Sequence, residues 1–595
     1  MKILLVGINA KYIHSNLAIH YLKAYAKEYA SDITLKEFTI NQYTEDILLK
    51  IYKEKPDFIG FSCYIWNMSM VLELSMELKK LLPGLKIWLG GPEVSFDAKN
   101  QLNNHTFVDG IMYGEGEETF LQVLHYYMGQ IESLGMIKGI AYRENDLEKE
   151  EIILNPSREE LDLSLVPFPY EDMSEFENKI IYYETSRGCP YSCSYCLSSV
   201  EKRVRLRNVE LVKKELKIFL EHKVPQVKFV DRTFNCNHKH TLAIWRFIKD
   251  NDNGITNFHF EVSADILNEE EISLLSSMRV GLVQLEVGVQ STNDATIQAI
   301  TRHMDLSRLK KVVGKIQEGK NIHQHLDLIA GLPFEDFHTF RNSFNEVYEM
   351  NPDQFQLGFL KVLKGSAMHR QSLKWGIVYR SAPPYEVLYT KWLTYEDVLR
   401  LKSVEEMVEV YYNSGQFEYS VKFLLHFFKT PFDFYLSLGE FYEEKGLDER
   451  NHTRLKRYEI LIDFYSRYLD TESFLEELKA EYKKAFMSIL VHDLYLREKL
   501  KSRPHFALAM EEFKEKYRRF YMNTESIREL IGNEGEHISP DQIKAGLHLE
   551  HYDININETV DSGKAIYKPQ YLLYDYIHRN PINSQAKVHI IEELK

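Results

Sequence analysis

The sequence predicts an α/β fold class: two successive series of strands and helices, then a mainly α-helical region. Three observations carry this. Apolar strand-like runs alternate with amphipathic helix-like runs from residue 1 to about 130, the pattern of a parallel sheet covered by helices on both faces. The alternation restarts near residue 180, with six strand-like runs in roughly 190 residues, fewer than the ~250 of a closed eight-fold barrel. Beyond about residue 375 strand signals fade, and apolar residues, many of them aromatic, recur at helical spacing.

In the first series KILLVGIN, DFIGFSCYIW, KIWLGG and GIMYGEGE read as strands, with LAIHYLKAYAKEYA and MVLELSMELKKLL as helices between them. Ligands of such sheets sit at the carboxyl ends of the strands. Those ends carry the turns GINAKYIHSN, FSCYIWN, GGPEVS and YGEGE, whose glycines let backbone approach a ligand closely. Residues 1–135 form this first domain, and 136–178 a linker with GIAYREN as a hairpin strand and LSLVPFPYEDM broken by proline. Residues 179–375 hold the second series, beginning IIYYETSRG, VPQVKFVDRTFN and NFHFEVSAD, and are expected to form an open, partial β/α barrel. Residues 376–595 are expected to be mainly helical, with the tail YLLYDYIHRNPINSQAKVHIIEEL as two short strands around an Asn-Pro turn.

Composition narrows the class. A length of 595 residues calls for several domains, and 44% hydrophobic with 27% charged residues is a globular balance. The formal charge of -15 argues against a broad grip on nucleic acid. No apolar run approaches the ~18 to 20 residues a membrane span needs, so membrane insertion is not expected. The opening MKILLVGINAKYIHSNL reads as a first strand and not a signal peptide, which makes the cytoplasm the expected location. Of five cysteines, three crowd into eight positions and read as ligands, whereas Cys63 and Cys236 read as buried or incidental thiols.

That crowded segment, TSRGCPYSCSYCLSS, spaces Cys189, Cys193 and Cys196 as C-x3-C-x2-C directly after a strand. Three thiolates on one short loop can each bind a different iron of a cube and leave the fourth iron open to a substrate or cofactor. A zinc knuckle is the alternative, but it wants a fourth ligand, and no further His or Cys stands nearby in the sequence.

At these residues the chain resembles the radical S-adenosylmethionine (SAM) superfamily. The resemblance implies a TIM-like partial barrel with a [4Fe-4S] cluster that binds SAM and cleaves it reductively to a 5'-deoxyadenosyl radical. It also implies an electron donor such as flavodoxin or ferredoxin. Tyr195 stands where the family packs a residue near the adenine. Further motifs resemble, in barrel order, those of oxygen-independent coproporphyrinogen dehydrogenases and related cobalamin-dependent proteins. Glu261 of NFHFEVSAD matches a contact to the amino-acid end of SAM, and Gln290 and Arg302 of LEVGVQSTNDATIQAITRH match ribose and carboxylate contacts. Asp327 of HLDLIAGLP matches a ribose contact, with the Gly331-Leu332-Pro333 turn on the adenine side. A carboxylate accepts both ribose hydroxyls and a guanidinium clamps a carboxylate, so the set is chemically coherent. Where many members carry a glycine-rich turn for the SAM amino group this chain has FVDRTFN, which offers Asp231, Arg232 and Thr233 instead. No catalytic residue is assigned beyond the cluster.

The domain in front resembles the Rossmann-like cobalamin-binding domain of cobalamin-dependent radical SAM proteins. Gly90 and Gly91 match the glycine pair along which the nucleotide tail runs, Ser62 matches a hydroxyl contact, and Gly114 and Glu115 stand in the last cobalamin-side turn. A generic nucleotide-binding domain is the rival reading, because glycine turns are common to such folds. The D-x-H-x-x-G lower-ligand motif is reduced to Tyr12-x-His14-x-x-Leu17. His14 therefore lacks its aspartate partner and is expected to play a surface or capping role, with Trp66 or Asn67 packing below the corrin.

The whole layout resembles a bacterial group of cobalamin-binding radical SAM proteins with a C-terminal domain of unassigned role. It implies a transferase acting on a small molecule, with radical methylation of an unactivated carbon as the leading reaction. Alternatives are rearrangement or cyclisation of a tetrapyrrole or lipid-like substrate, an RNA-modifying radical enzyme, and a non-catalytic cobalamin or redox sensor.

Overall fold

The computed structural model describes residues 1–146, 149–170, 172–471, 476–507, 511–531, 539–580 and 583–592. The chain divides into two compact units, residues 1–339 with 359–395 and residues 340–358 with 396–595.

The first unit opens with a seven-stranded sheet in the order β2-β1-β3-β4-β5-β6-β7, formed by β1 (Ile3–Asn9), β2 (Ile33–Thr39), β3 (Phe58–Ser62), β4 (Lys86–Gly90), β5 (Gly110–Met112), β6 (Ile140–Asp146) and β7 (Lys149–Leu154). The first five strands are parallel. Every residue of β1 is buried because the strand runs through the middle of a sheet covered on both faces. One core joins Leu4, Val6, Ile59 and Leu89 to the helices Thr44–Glu54 and Met68–Leu81; the other joins Leu5, Phe58 and Trp88 to the helix Glu117–Tyr127. Gly110 lies beneath the Trp88 ring, where a Cβ would come within 2.6 Å of it. The strand expected at GIAYREN pairs antiparallel to β5 and is followed by β7, so the sheet reaches into the stretch read as a linker.

Next comes a parallel sheet whose strands follow chain order, with β8 (Ile181–Tyr183), β11 (Gln226–Phe229), β12 (Asn257–Val262), β13 (Val283–Gln290) and β14 (His323–Ala330). Between β8 and β11 a short antiparallel pair, β9 (Ser186–Arg187) and β10 (Arg205–Leu206), brackets the cysteine segment. Side chains alternate between two faces. Tyr183, Phe229, Phe258 and Phe260 stack under the helices Val209–Glu221 and His238–Asp250 on the apolar face. The sixth expected run also forms a strand, β15 (Gln354–Phe359), and an antiparallel pair follows, β16 (Val378–Tyr379) with β17 (Val387–Tyr389).

The second unit is mainly helical, its longest helices being Arg454–Thr471 and Glu476–Arg497. It ends in an antiparallel sheet of β18 (Leu547–Tyr552), β19 (Gln570–Asp575) and β20 (Lys587–Ile591), where two strands were expected. The unforeseen strand, LHLEHY, buries Glu550, which is held by Arg503 Nη1 at 2.8 Å and by His548 at 3.1 Å. A charge at a core position hides the strand pattern until its partner is known. Pro581 of the expected Asn-Pro turn lies outside the described residues.

Candidate active site

The cysteine loop, residues 188–204, springs from a neck in which Arg187 of β9 lies opposite Arg205 of β10. Glu115, from the YGEGE turn that follows β5, reaches both arms. Its carboxylate accepts from Arg187 Nη1 at 3.0 Å, from Arg205 Nη2 at 2.7 Å and Nη1 at 3.2 Å, and from the Leu161 N–H at 2.7 Å. Glu117 and Glu184 also hold Arg187, and Glu201 holds Arg205. Burial works against the Glu115 charge, but Arg205 and Arg187 hold its carboxyl below the usual range. Both Glu115 oxygens, expected on the cobalamin side, are thus engaged at the loop neck. Gly188 opens the loop at φ +90°, where a Cβ would meet the Arg203 carbonyl at 2.2 Å.

Within the loop Cys189 and Cys193 are buried and Cys196 is half-buried. The Cys189 N–H donates to Glu201 O (2.9 Å) and the Cys196 N–H to Cys193 O (3.2 Å). Burial raises the Cys193 thiol although Arg302 works against the rise. Arg302 Nη1 lies 3.8 Å from Cys193 Sγ and 3.2 Å from Tyr195 Oη, and its Nη2 donates to Gly288 O. Among the described residues no three His, Cys, Asp or Glu side chains converge as a single ion requires. The donor set thus suits a cluster whose irons take one thiolate each.

Asp231, offered by sequence for the SAM amino group, is instead buried at the end of β11. It accepts from Thr185 N (3.0 Å) and Oγ1 (2.7 Å) and from Ser186 Oγ (2.6 Å), and burial pushes its carboxyl up to about 6. It fixes the chain just ahead of Cys189. Thr233 Oγ1 sits 3.5 Å from Cys189 Sγ, and Arg232 is exposed, 3.9 Å from Glu261.

The second face of the parallel sheet is polar. Lys228 Nζ and His259 Nε2 lie 2.9 and 3.1 Å from Glu286 Oε2. Burial opposes the Glu286 charge, yet these two partners hold its carboxyl down at about 2. The His325 ring lies 4.7 Å from that of His323 and 5.3 Å from that of His259, and burial pushes it down to about 3. Toward the carboxyl ends, burial, then Glu286 and Glu261, raise Asp327 to about 8. Burial and Glu286 likewise raise Glu261 to about 7, against Arg232. Gln290 stands at φ +71° in a bulge of β13, its amide folded over Gly288, where a Cβ would meet it at 2.2 Å. Asp327 Oδ1, His325 Nε2, Gln290 Oε1 and Arg302 Nε are shut off from solvent without hydrogen-bond partners among the described residues. Such orphaned groups at strand ends fit a polar ligand that supplies hydroxyl, ammonium and carboxylate groups. His259, His323, His325, Lys228 and Glu286 were not foreseen. Their signal was present as polar residues two apart in QVKF, NFHFEV, QLEVGVQ and HQHLDLIA.

In the front domain the order 2-1-3-4-5 places the switch point between β1 and β3. There Asn16 Nδ2 donates to Ser62 Oγ (2.9 Å), and Asn67 Nδ2 donates to Ile8 O and Ser62 O (3.0 and 2.9 Å). Asn67 is buried by these bonds, but the Trp66 ring is 44% exposed, stacked 4.4 Å from Tyr64 and tethered through Nε1 to Ile8 O. Gly90 ends β4; Gly91 follows at φ +115°, with a Cβ barred by the Cys63 carbonyl at 2.6 Å, while Gly114 has open space around it. A flat aromatic surface and glycine-lined strand ends fit a large planar ligand. His14 turns away to Tyr182 of β8, its Nδ1 2.8 Å from Oη. Cys63 is buried and Cys236 half-buried.

Comparison with known proteins accords with this geometry. Residues 3–124 match the B12 binding domain, 183–347 the radical SAM superfamily, and 373–574 a family described as a protein of unknown function, DUF4080. The chain is 25% identical over 346 residues to the cobalamin-dependent radical SAM methyltransferase TokK of Streptomyces tokunonensis, covering 51% of this chain and 47% of that one. It is 22% identical to the anaerobic magnesium-protoporphyrin IX monomethyl ester cyclase of Rubrivivax gelatinosus, covering 56% of this chain and 62% of that one. The match to TokK thus spans about half of that relative's length. In fold it is similar to OxsB, a cobalamin-dependent SAM radical enzyme solved with aqua-cobalamin and SAM bound (TM-score 0.57, 15% identity, 83% and 78% covered). It is also similar to the radical SAM methyltransferase TsrM of Kitasatospora setae (TM-score 0.54, 15% identity, 65% and 82% covered). Among the described residues no helix is long and apolar enough to cross a membrane. The chain thus carries, in order, a segment matching the B12 binding domain, one matching the radical SAM superfamily and one matching a family of unknown function.

Proposed function

We propose that this protein is a cobalamin-dependent radical SAM enzyme that methylates an unactivated carbon of a small molecule. The observation that supports it most is the loop bearing Cys189, Cys193 and Cys196 beside a polar sheet face whose buried donors and acceptors lack partners. When bound, a cluster open at one iron supplies the electron that cleaves SAM, and cobalamin supplies the methyl group. The chain's own part is to hold and orient. The three thiols would hold the cluster, and Arg302 lies close enough to Cys193 to steady a ligand carboxylate there. Asp327 and Glu261, raised by burial, carry protons near neutral pH and give them up when a ligand's hydroxyl or ammonium donates to them. Ser62, Gly90, Gly91 and Gly114 would line the cobalamin side, with the Trp66 ring below the corrin. Tyr195 and Gln290 would border SAM. An electron donor of the flavodoxin or ferredoxin type and a cytoplasmic setting go with this chemistry.

The test is to reduce the anaerobically reconstituted protein and incubate it with SAM and hydroxocobalamin. 5'-Deoxyadenosine and S-adenosylhomocysteine are then followed together by mass spectrometry. Both products are expected, since one SAM serves the radical and a second remethylates cobalt. Deoxyadenosine alone, with candidate substrates present, moves the reading to cyclisation, which the similarity to the magnesium-protoporphyrin cyclase favours. Formation of neither product overturns the enzyme reading in favour of the non-catalytic sensor.

A further inference from the structure

Beside the cysteine loop the first unit contains a cavity of about 840 Å³ that the cluster and SAM contacts do not involve. Three segments wall it: residues 96–100 of the front domain, 192–202 of the cysteine loop, and 364–370 after β15. Its charge is opposite to that of the chain. Lys202, Lys364 and Arg370 face one carboxylate, Asp97, in a protein of net charge -15. The Lys202 ammonium has no partner among the described residues, and Arg370 has one, Nη1 donating to Gly365 O at 2.8 Å. Lys364 is drawn toward Glu93 at 3.6 Å and lies 5.3 Å from the Tyr385 ring. Lys202 and Arg370, both exposed, thus have no carboxylate partner among the described residues, and an anion bound between them lowers their mutual repulsion.

The remaining wall is apolar and built to close tolerance. The Phe96 ring packs on Gly365, where a Cβ would come within 2.3 Å of it, and the ring remains 43% exposed. Val200 adds a second exposed apolar surface. The cysteine loop is part of the wall: Ser192 lies between Cys189 and Cys193, and Ser199 Oγ donates to Cys196 O at 2.7 Å. The third segment is tied to the same loop by the Met368 N–H, which donates to Ser194 O at 2.7 Å.

We infer that this cavity binds an anionic molecule with an apolar body, a carboxylate or phosphate held by Lys202 and Arg370 with the apolar part against Phe96 and Val200. Its volume suits a small molecule and not a docked protein chain. Resting on the reading above, the inference names the substrate class: an acid or phosphorylated compound whose anionic end is held beside the cluster loop.

The test uses the full chain without cluster or cobalamin and follows binding of anilinonaphthalene sulfonate, an anion on an apolar body, by fluorescence. Stoichiometric binding is expected to weaken about tenfold or more in K202A/R370A, since two charge-assisted contacts are removed. It is expected to be unchanged in K213A/K217A, which alters the exposed face of the helix Val209–Glu221. Displacement by inorganic pyrophosphate identifies a phosphate ligand and displacement by octanoate a carboxylate; displacement by neither overturns the inference. So does equal affinity in the native and K202A/R370A chains. Failure here with SAM cleavage intact overturns only the cavity, whereas binding intact without SAM cleavage overturns only the enzymatic reading.

Discussion

Replacing Glu115 should loosen the cysteine loop from a distance. The carboxylate is 17% exposed, and the two guanidiniums it bridges, Arg187 and Arg205, are 16% and 9% exposed. Removing one partner of a buried ion pair costs ~3 to 5 kcal/mol because the other charge is stranded. Here neither guanidinium is fully stranded: Arg187 keeps Glu117 and Glu184, and Arg205 keeps Glu201. The expected cost of Glu115→Ala is therefore lower, about 2 kcal/mol. Because the neck pairs only Arg187 with Arg205 and Ser186 with Leu206, most of that cost should fall on local opening of residues 188–204. Hydrogen exchange at the Cys189 and Cys196 amides should then quicken roughly thirtyfold, with exchange in the β1 strand unaltered. Reconstituted protein should also lose iron faster. The control is Glu159→Gln, which breaks an exposed pair with Lys138 and should change neither readout. Unaltered exchange in the loop of Glu115→Ala, at any iron content, would refute the clamp.

Cys193→Ala should abolish both the brown chromophore of the reconstituted protein and SAM cleavage, and a variant retaining a reducible cubane would sink the cluster assignment. Asp327 holds its proton to about pH 8 when folded, against ~4 unfolded. The folded chain thus binds the extra proton between those values. That contribution is complete below about pH 4 and is lost as pH rises toward 8, with a slope of at most ~1.4 kcal/mol per unit shared with Glu261. Asp327→Asn should accordingly gain stability over the native chain as pH goes from 5 to 8 in urea unfolding; a difference constant with pH contradicts the buried-carboxyl account. Gly91→Ala puts a Cβ within 2.6 Å of the Cys63 carbonyl at φ +115°. It should cost ~2 kcal/mol or more and weaken hydroxocobalamin binding, and native-like binding with an unshifted urea midpoint would count against the glycine-lined strand end.

Alternation of strand and helix was legible in both series, because apolar runs at the two periods are a local property. The cysteine spacing was legible for the same reason: one loop carries all three thiols. Pairings between residues far apart were not. Glu115 sits in a glycine turn of the kind that receives ligands, and only the fold shows Arg187 and Arg205 reaching it across 72 and 90 residues. Asp231 likewise read as a free carboxylate at a strand end, but Thr185 and Ser186 occupy it. In LHLEHY the buried Glu550 disguised a strand whose charge is met by Arg503, 47 positions earlier. Polar residues at strand ends have two uses, binding a ligand and fastening one segment to another, and sequence alone does not separate them.

The structure separates them by counting partners. Glu115 and Asp231 have their acceptors filled by the protein, so they fasten. Asp327 Oδ1, Gln290 Oε1, Arg302 Nε and His325 Nε2 are closed off from water with nothing in return. A buried polar atom left without a hydrogen bond costs ~1 to 3 kcal/mol, and three of them on β13 and β14 with a fourth on Arg302 are a substantial burden for a fold stable by ~5 to 15 kcal/mol. The burden is matched by strain at Gln290, held at φ +71° in the bulge of β13. Gly288 accommodates that conformation, because any side chain there would displace the Gln290 amide. Partner deficit and backbone strain thus meet on the same strand ends, next to Cys193 and Arg302. That coincidence, more than the chemistry of any one residue, is what makes this face the candidate ligand site.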